Sequence, residues 1–325
     1  MKRLLIAALC LIAVCCGPRK SQAPATRAFP EVKVPSMLYE NEAAEYLAMH
    51  FWDEFLDGEK TWLCDSAHIA GVDCIKVEEK VGLWATVLGM LSPQAARSST
   101  KGLTDRMEAC LKADSLSNIY PRLTDLISRY LYDPNSPVRN EDAYGPFAEG
   151  LSKSSFVPKE RKNGYAFEAR MCALNATLTP AADFRFTDQK GRTRSLYSVK
   201  APLTLLFFSN PGCPACKEIM GVLTEPAISE MVSRGDLAVV NVYIDEELDK
   251  WREYVREYPS SWYTGYDKEL IIRSDLLYNV RAIPSLYLLD KDKKVLLKDA
   301  PVEKVMEALY RCTSTVDQEA PYPAQ

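Results

Sequence analysis

The chain has 325 residues, 47% of them apolar and 26% charged, with 40 basic and 44 acidic side chains and a formal charge of −4. Such a composition supports a real core spread over two domains and excludes disorder as a general description. The even charge gives no reason to attract nucleic acid or an anionic membrane surface. Its 14 glycines lack periodic placement, which excludes a fibre.

Lys2 and Arg3 precede an apolar run from Leu4 to Cys16, ended by Gly17-Pro18-Arg19-Lys20. The run falls short of the roughly 20 helical residues that cross a bilayer, so 1–16 reads as a secretory signal. Its end, Ile12-Ala13-Val14-Cys15-Cys16, resembles a bacterial lipobox. That resemblance implies lipidation of Cys16 or Cys15 and an exported, periplasmic protein held to the membrane by a lipid anchor only, with free secretion as the alternative. Residues 17–38 read as a tether, since Pro18, Pro24, Pro30 and Pro35 discourage regular structure. Export would leave Cys64, Cys74, Cys110, Cys172, Cys213, Cys216 and Cys312 in an oxidising compartment.

From 39 to 176 the apolar spacing is helical. Ala43, Ala44, Leu47, Phe51, Trp52 and Phe55 form one stripe, Val81, Leu83, Trp84, Val87, Leu88 and Leu91 another, and Leu123, Leu126, Ile127, Tyr130 and Leu131 a third. Breaks are expected at Gly58, Ser92-Pro93 and Asp133 to Pro137. An all-α domain is the expectation.

The pattern changes after Thr177. Ala182–Phe186 and Thr193–Tyr197 read as a hairpin, Leu203–Phe208 and Leu237–Ile244 as buried strands, and Ser285–Leu289 with Lys294–Lys298 as a closing hairpin. Helices are expected over 215–233, 246–258, 267–278 and 302–311. Alternating strands and helices of this kind predict an α/β domain with a mixed sheet over 177–313. Residues 314–325, with Pro321 and Pro323, read as a disordered tail.

The chemistry concentrates at Cys213-Pro214-Ala215-Cys216, which follows a buried strand through Ser209-Asn210-Pro211-Gly212 and opens a helix. The carboxyl end of such a strand is where open α/β sheets carry their sites. Free amides and partial positive charge at a helix start favour a thiolate on Cys213, and Cys216 sits one turn away, within reach of a small disulfide ring. Together with the upstream hairpin and Arg281-Ala282-Ile283-Pro284-Ser285-Leu286-Tyr287, this stretch resembles the thioredoxin superfamily, closest to its TlpA-like branch. The helical part, with Phe51-Trp52 and Tyr132 to Pro137, resembles an uncharacterised domain found ahead of thioredoxin folds in exported Gram-negative proteins.

The resemblance implies a thiol-disulfide oxidoreductase. Cys213 would be the nucleophile, Cys216 the resolving thiol and Pro284 a cis-proline. Ile283, Pro214 and Ala215 would line the substrate groove. No cofactor is implied beyond the Cys213–Cys216 disulfide, and the partners are disulfide-containing envelope proteins and an electron donor. Two departures stand out. Phe207 occupies the position where thioredoxins often carry a buried acid, and Ile219 the position where TlpA-like relatives often carry a glutamate. That leaves water or the adjacent Glu218 as proton acceptor. The rival readings are a non-catalytic interaction module and a redox sensor.

Elsewhere, Cys64 and Cys74 are candidates for a structural disulfide, with free thiols as the alternative, and no metal site is expected because only two histidines exist. Cys110 and Cys172 either pair or serve as buried hydrophobes. Trp251, Trp262 and Tyr263 read as core before groove, and Lys291–Lys294 as a solvated turn.

Overall fold

The protein is described here by a computed structural model covering residues 24–57 and 62–316, with side chains given up to Arg311. The expected signal, both candidate lipidation cysteines, Gly58, the side chain of Cys312 and residues 317–325 of the expected tail lie outside the described residues, while 314–316, expected in that tail, continue the last helix.

The first region is built from α1 (Glu40–His50), α2 (Cys74–Leu88), α3 (Pro93–Thr100), α4 (Leu103–Ala113), α5 (Ile119–Leu131), α6 (Glu141–Lys153) and α7 (Lys159–Ala173). Their start signals are local. Asp73 caps α2 by accepting from the amides of Ile75 and Lys76, Ser92 caps α3 ahead of Pro93 at its first position, and Asn140 caps α6. One correction to the all-α expectation is a two-residue hairpin, β1 (His68–Ile69) against β2 (Val72–Asp73), turned by Ala70 and Gly71 at φ 47° and 78°. The core is aromatic. Trp84 donates from Nε1 to the Ala48 carbonyl at 3.0 Å and meets Trp52 edge-on, with ring centroids 5.4 Å apart.

Part of the expected tether is docked rather than loose. Phe29 stacks on Phe55 at 5.0 Å, and the Arg27 guanidinium donates to the carbonyls of Ala70 and Phe55 while lying 4.3 Å from the Trp62 ring. Aromatic burial and charged donors outweigh the extended bias of the prolines there.

The second region holds β3 (Arg185–Thr187), β4 (Thr193–Ser195), β5 (Leu203–Phe208), β6 (Leu237–Tyr243), β7 (Tyr263–Tyr266), β8 (Ser285–Leu289) and β9 (Val295–Leu297) in one sheet of order β4-β3-β7-β6-β5-β8-β9. The central pairs β5/β6 and β6/β7 are parallel, while β5/β8, β8/β9 and β3/β7 are antiparallel. Period-two alternation sends Leu205 and Phe207 to one face and Leu206 and Phe208 to the other, so the sheet has a core on each side. The first face is covered by α8 (Pro214–Leu223), α9 (Pro226–Arg234), α10 (Leu248–Tyr254) and α12 (Val302–Val316), and α11 (Ile271–Ser274) packs on the second through Ile272.

Three expectations over this region need correction. The helix expected over 215–233 is two helices, because Pro226 lacks an amide and holds Glu225 extended at ψ 149°. The helix expected over 267–278 is helical only at Ile271–Ser274, and the strand β7 just before it was not anticipated. Lys293, expected in a solvated turn, is 2% exposed and donates to Thr204 Oγ1 at 2.9 Å.

The join between the regions is itself bonded. Asn175, at φ 48°, donates to the Leu277 carbonyl and accepts from the Ala182 amide. Beyond it, the amides of Leu178 and Ala181 donate to the carbonyls of Val295 and Lys293, and the Val295 amide donates back to Thr179.

Candidate redox-active site

β5 ends at Phe208, paired with Ser285 at the start of β8. This register brings the loop 209–213 and the turn at Pro284 to the same end of the sheet. Gly212 takes φ 70°, a left-handed conformation that turns the chain sharply into α8. Cys213 is then the N-cap of α8, and Pro214 occupies the first helical position, where a missing amide costs nothing.

The two sulfurs have different surroundings. Cys213 is half-buried, and its Sγ accepts from the Cys216 amide at 3.2 Å, the charge-stabilising contact that a helix start offers a capping sulfur. Cys216 is 4% exposed within the apolar core. Burial first, and then the bond to Cys213, pushes its thiol up to about 12. An outer sulfur at a helix start and an inner one kept protonated are suited to sequential attack and resolution.

Pro214, Ala215 and Glu218 are exposed on the outer side of this unit, and Ile219 packs into the core. The peptide bond Ile283–Pro284 is cis. Ile283 and Pro284 are half-exposed, and Ile283 packs against the same apolar cluster as Cys213. Phe207 is fully buried and faces Trp262 edge-on at 6.4 Å. Trp251 and Trp262 belong to the core, and Tyr263 lies beneath Arg194.

Sequence reasoning does not reach a polar cluster under the loop 209–213. Ser209 Oγ accepts from Asn241 Nδ2 at 2.6 Å and shares a hydrogen bond of 2.9 Å with Tyr258 Oη. Tyr258 and Tyr254 both interact electrostatically with Cys213 and Cys216, and burial raises the Tyr258 phenol well above its ordinary range. The available signal was Asn241, a polar residue in the otherwise apolar run Leu237–Tyr243. Asn210, from the same loop, donates to Asp245 at 2.6 Å, and Asp245 pairs with Arg273.

Among the described residues the other cysteines form no disulfide. Cys64 and Cys74, candidates for a structural disulfide with free thiols as the alternative, are both free thiols. Cys74 Sγ is instead engaged by Arg122 Nη2 at 2.9 Å and by the Ser66 carbonyl, while Cys64 lines a small cavity of about 30 Å³ with Cys110. Cys110 donates to the Leu56 carbonyl, and Cys172 is buried. Among the described residues no cluster of three or more His, Cys, Asp or Glu side chains could hold a metal ion.

Two family models match the chain. Residues 16–175 match a domain of unknown function, DUF5106, and residues 202–295 match a thioredoxin-like model. No curated protein matches. Among solved structures, a thioredoxin-like protein from Bacteroides caccae is 34% identical, with 87% of this chain and 98% of that one covered at a TM-score of 0.73. The C-terminal domain of an uncharacterised Bacteroides fragilis protein is 45% identical over 42% of this chain and 98% of its own, at a TM-score of 0.41. The thioredoxin domain of a thiol-disulfide oxidoreductase from Bacteroides vulgatus is 21% identical over 42% of this chain and 97% of its own, at 0.38. The Bacteroides caccae relationship runs through both regions, and on it the chain belongs to the thioredoxin-like family.

Proposed function

We propose that the protein is a periplasmic thiol:disulfide oxidoreductase that reduces protein disulfides through its Cys-Pro-Ala-Cys dithiol. One observation carries the reading: a half-exposed Cys213 caps α8 and accepts the Cys216 amide, while Cys216 is buried a turn behind it. Membership of the thioredoxin-like family supports the same activity.

In this reaction the Cys213 thiolate attacks a substrate disulfide, forming a mixed disulfide and releasing one substrate thiolate. Cys216 gives its proton to solvent or to Glu218, then attacks Cys213 Sγ. The Cys213–Cys216 disulfide forms and the second substrate thiolate leaves. Two electrons have passed to the substrate, so a separate thiol donor must reduce the pair again. Ile283, Pro214 and Ala215, exposed or half-exposed beside the pair, would border an extended substrate segment. The substrates are disulfide-containing envelope proteins, met by a protein exported on residues 1–16 and anchored by lipid on Cys16 or Cys15.

Pro214 and Ala215 add no cation beside the outer sulfur. The pair is therefore expected nearer thioredoxin's about −270 mV than the about −120 mV of the strongly oxidising relatives. Insulin reduction tests the activity: wild type should turn over and Cys213→Ser should fall to background. Equilibration with glutathione tests the direction, and a value above about −150 mV would reverse it.

A further inference from the structure

The loop that carries Pro284 is held from the other region of the molecule. Glu141, the first residue of α6, is buried, with its side chain 3% exposed. Its Oε1 accepts from Asn279 Nδ2 at 2.9 Å and lies 3.2 Å from Arg281 Nη2, and its Oε2 lies 2.7 Å from Lys298 Nζ. Arg281 also rests 4.1 Å over the ring of Tyr132, at the end of α5, and donates to Asp299 Oδ2 at 2.9 Å. Asp299 in turn accepts from Ser285 Oγ at 2.7 Å. Lys298 donates to the carbonyls of Met171, Cys172 and Leu174 at the end of α7.

These contacts bracket one short stretch. Asn279 and Arg281 are fixed on one side of Pro284 and Ser285 on the other, while Ile283 and Pro284 between them stay half-exposed. A carboxylate buried against two cations is costly to remove, because its loss leaves their charges uncompensated. Among the described residues Arg281 Nε and Nη1 have no hydrogen-bond partner, so Arg281 leans on Glu141 and Asp299. A plain packing contact between regions would not need charged groups aimed at this loop.

We propose that Glu141 is a positioning residue, through which the helical region sets the Pro284 loop for binding of a protein disulfide. The proposal rests on the disulfide-exchange reading above.

The test compares wild type, Glu141→Gln and Glu149→Gln, the last a control on the exposed side of α6. Each is measured for insulin reduction and for oxidation of its dithiol by oxidised glutathione, a small disulfide that makes little use of the loop. Glu141→Gln is expected to raise the KM for insulin about fivefold, the scale of coupling between linked sites. Its kcat and its rate with glutathione should stay within twofold, and Glu149→Gln should match wild type. An unchanged KM in folded Glu141→Gln, or an equal loss with both disulfides, overturns the proposal. Should Glu141→Gln fail to fold, Arg281→Lys must give the same selective rise, and an unchanged KM there overturns it. A wild type that reduces neither disulfide removes the functional reading and this proposal together. A wild type active on insulin beside an unaffected variant removes only this proposal.

Discussion

Each region of the molecule sets a cysteine at the start of a helix, one position apart relative to the cap. In α8 the cysteine is itself the cap: Cys213 Sγ receives the Cys216 amide. In α2 the capping is done by Asp73, which takes the amides of Ile75 and Lys76 and leaves Cys74 at the first helical position. Cys74 Sγ then receives a side-chain donor, Arg122, in place of the helix amides. A shift of one residue decides whether the partial positive charge of the helix start goes to sulfur or to a carboxylate.

The largest expected effect follows from Cys213→Ser. Serine is a good cap, so the thermal midpoint should barely move while insulin turnover falls at least a thousandfold, a split that calorimetry and kinetics together would reveal. Next comes the inner sulfur. With its thiol raised from 9.0 to about 12, Cys216 should be alkylated at pH 8 at least a hundredfold more slowly than Cys213, read by peptide mass analysis. The same shift has a sign for stability. As pH climbs past about 9 the unfolded chain gives up this proton before the folded one does, so the reduced protein should lose stability between about pH 9 and 12. Cys216→Ala should flatten that slope in thermal melts.

At the start of α2 the expected effects are smaller and concern stability alone. Asp73→Ala should cost about 1 kcal/mol in denaturant unfolding, with turnover within twofold of wild type. Smallest of all, the double substitution Cys64→Ser and Cys74→Ser should leave insulin turnover unchanged. A loss there would break the contrast between the two helix starts.

The parts legible in the sequence were those with local signatures. Cys213, Cys216 and the preceding strand β5 announce themselves through turn chemistry and an apolar run, and the stripes through Trp84 and Leu123 mark α2 and α5. What escaped depends on distant partners. β7 contains Gly265, which reads as a strand breaker, yet a Cβ there would lie 2.7 Å from Phe186 and 2.8 Å from the Thr187 carbonyl. The glycine is what lets β3 approach. Lys293 lies in a charged run that reads as a solvated turn, because nothing nearby in sequence indicates Thr204 as its partner. The Ser209–Asn241–Tyr258 cluster and the Glu141–Arg281 pair join residues 32 to 140 positions apart, which no period or spacing encodes.

The bonded segment from Asn175 to Ala181 behaves as a splice, not a hinge. Its backbone reads along β9 on one side, while Asn175 is pinned to Leu277 on the other. A chimera that exchanges one half of this molecule for a relative's must therefore carry the splice together with the strand that receives it. A cut anywhere inside 175–181 would strand both halves with unmatched edges.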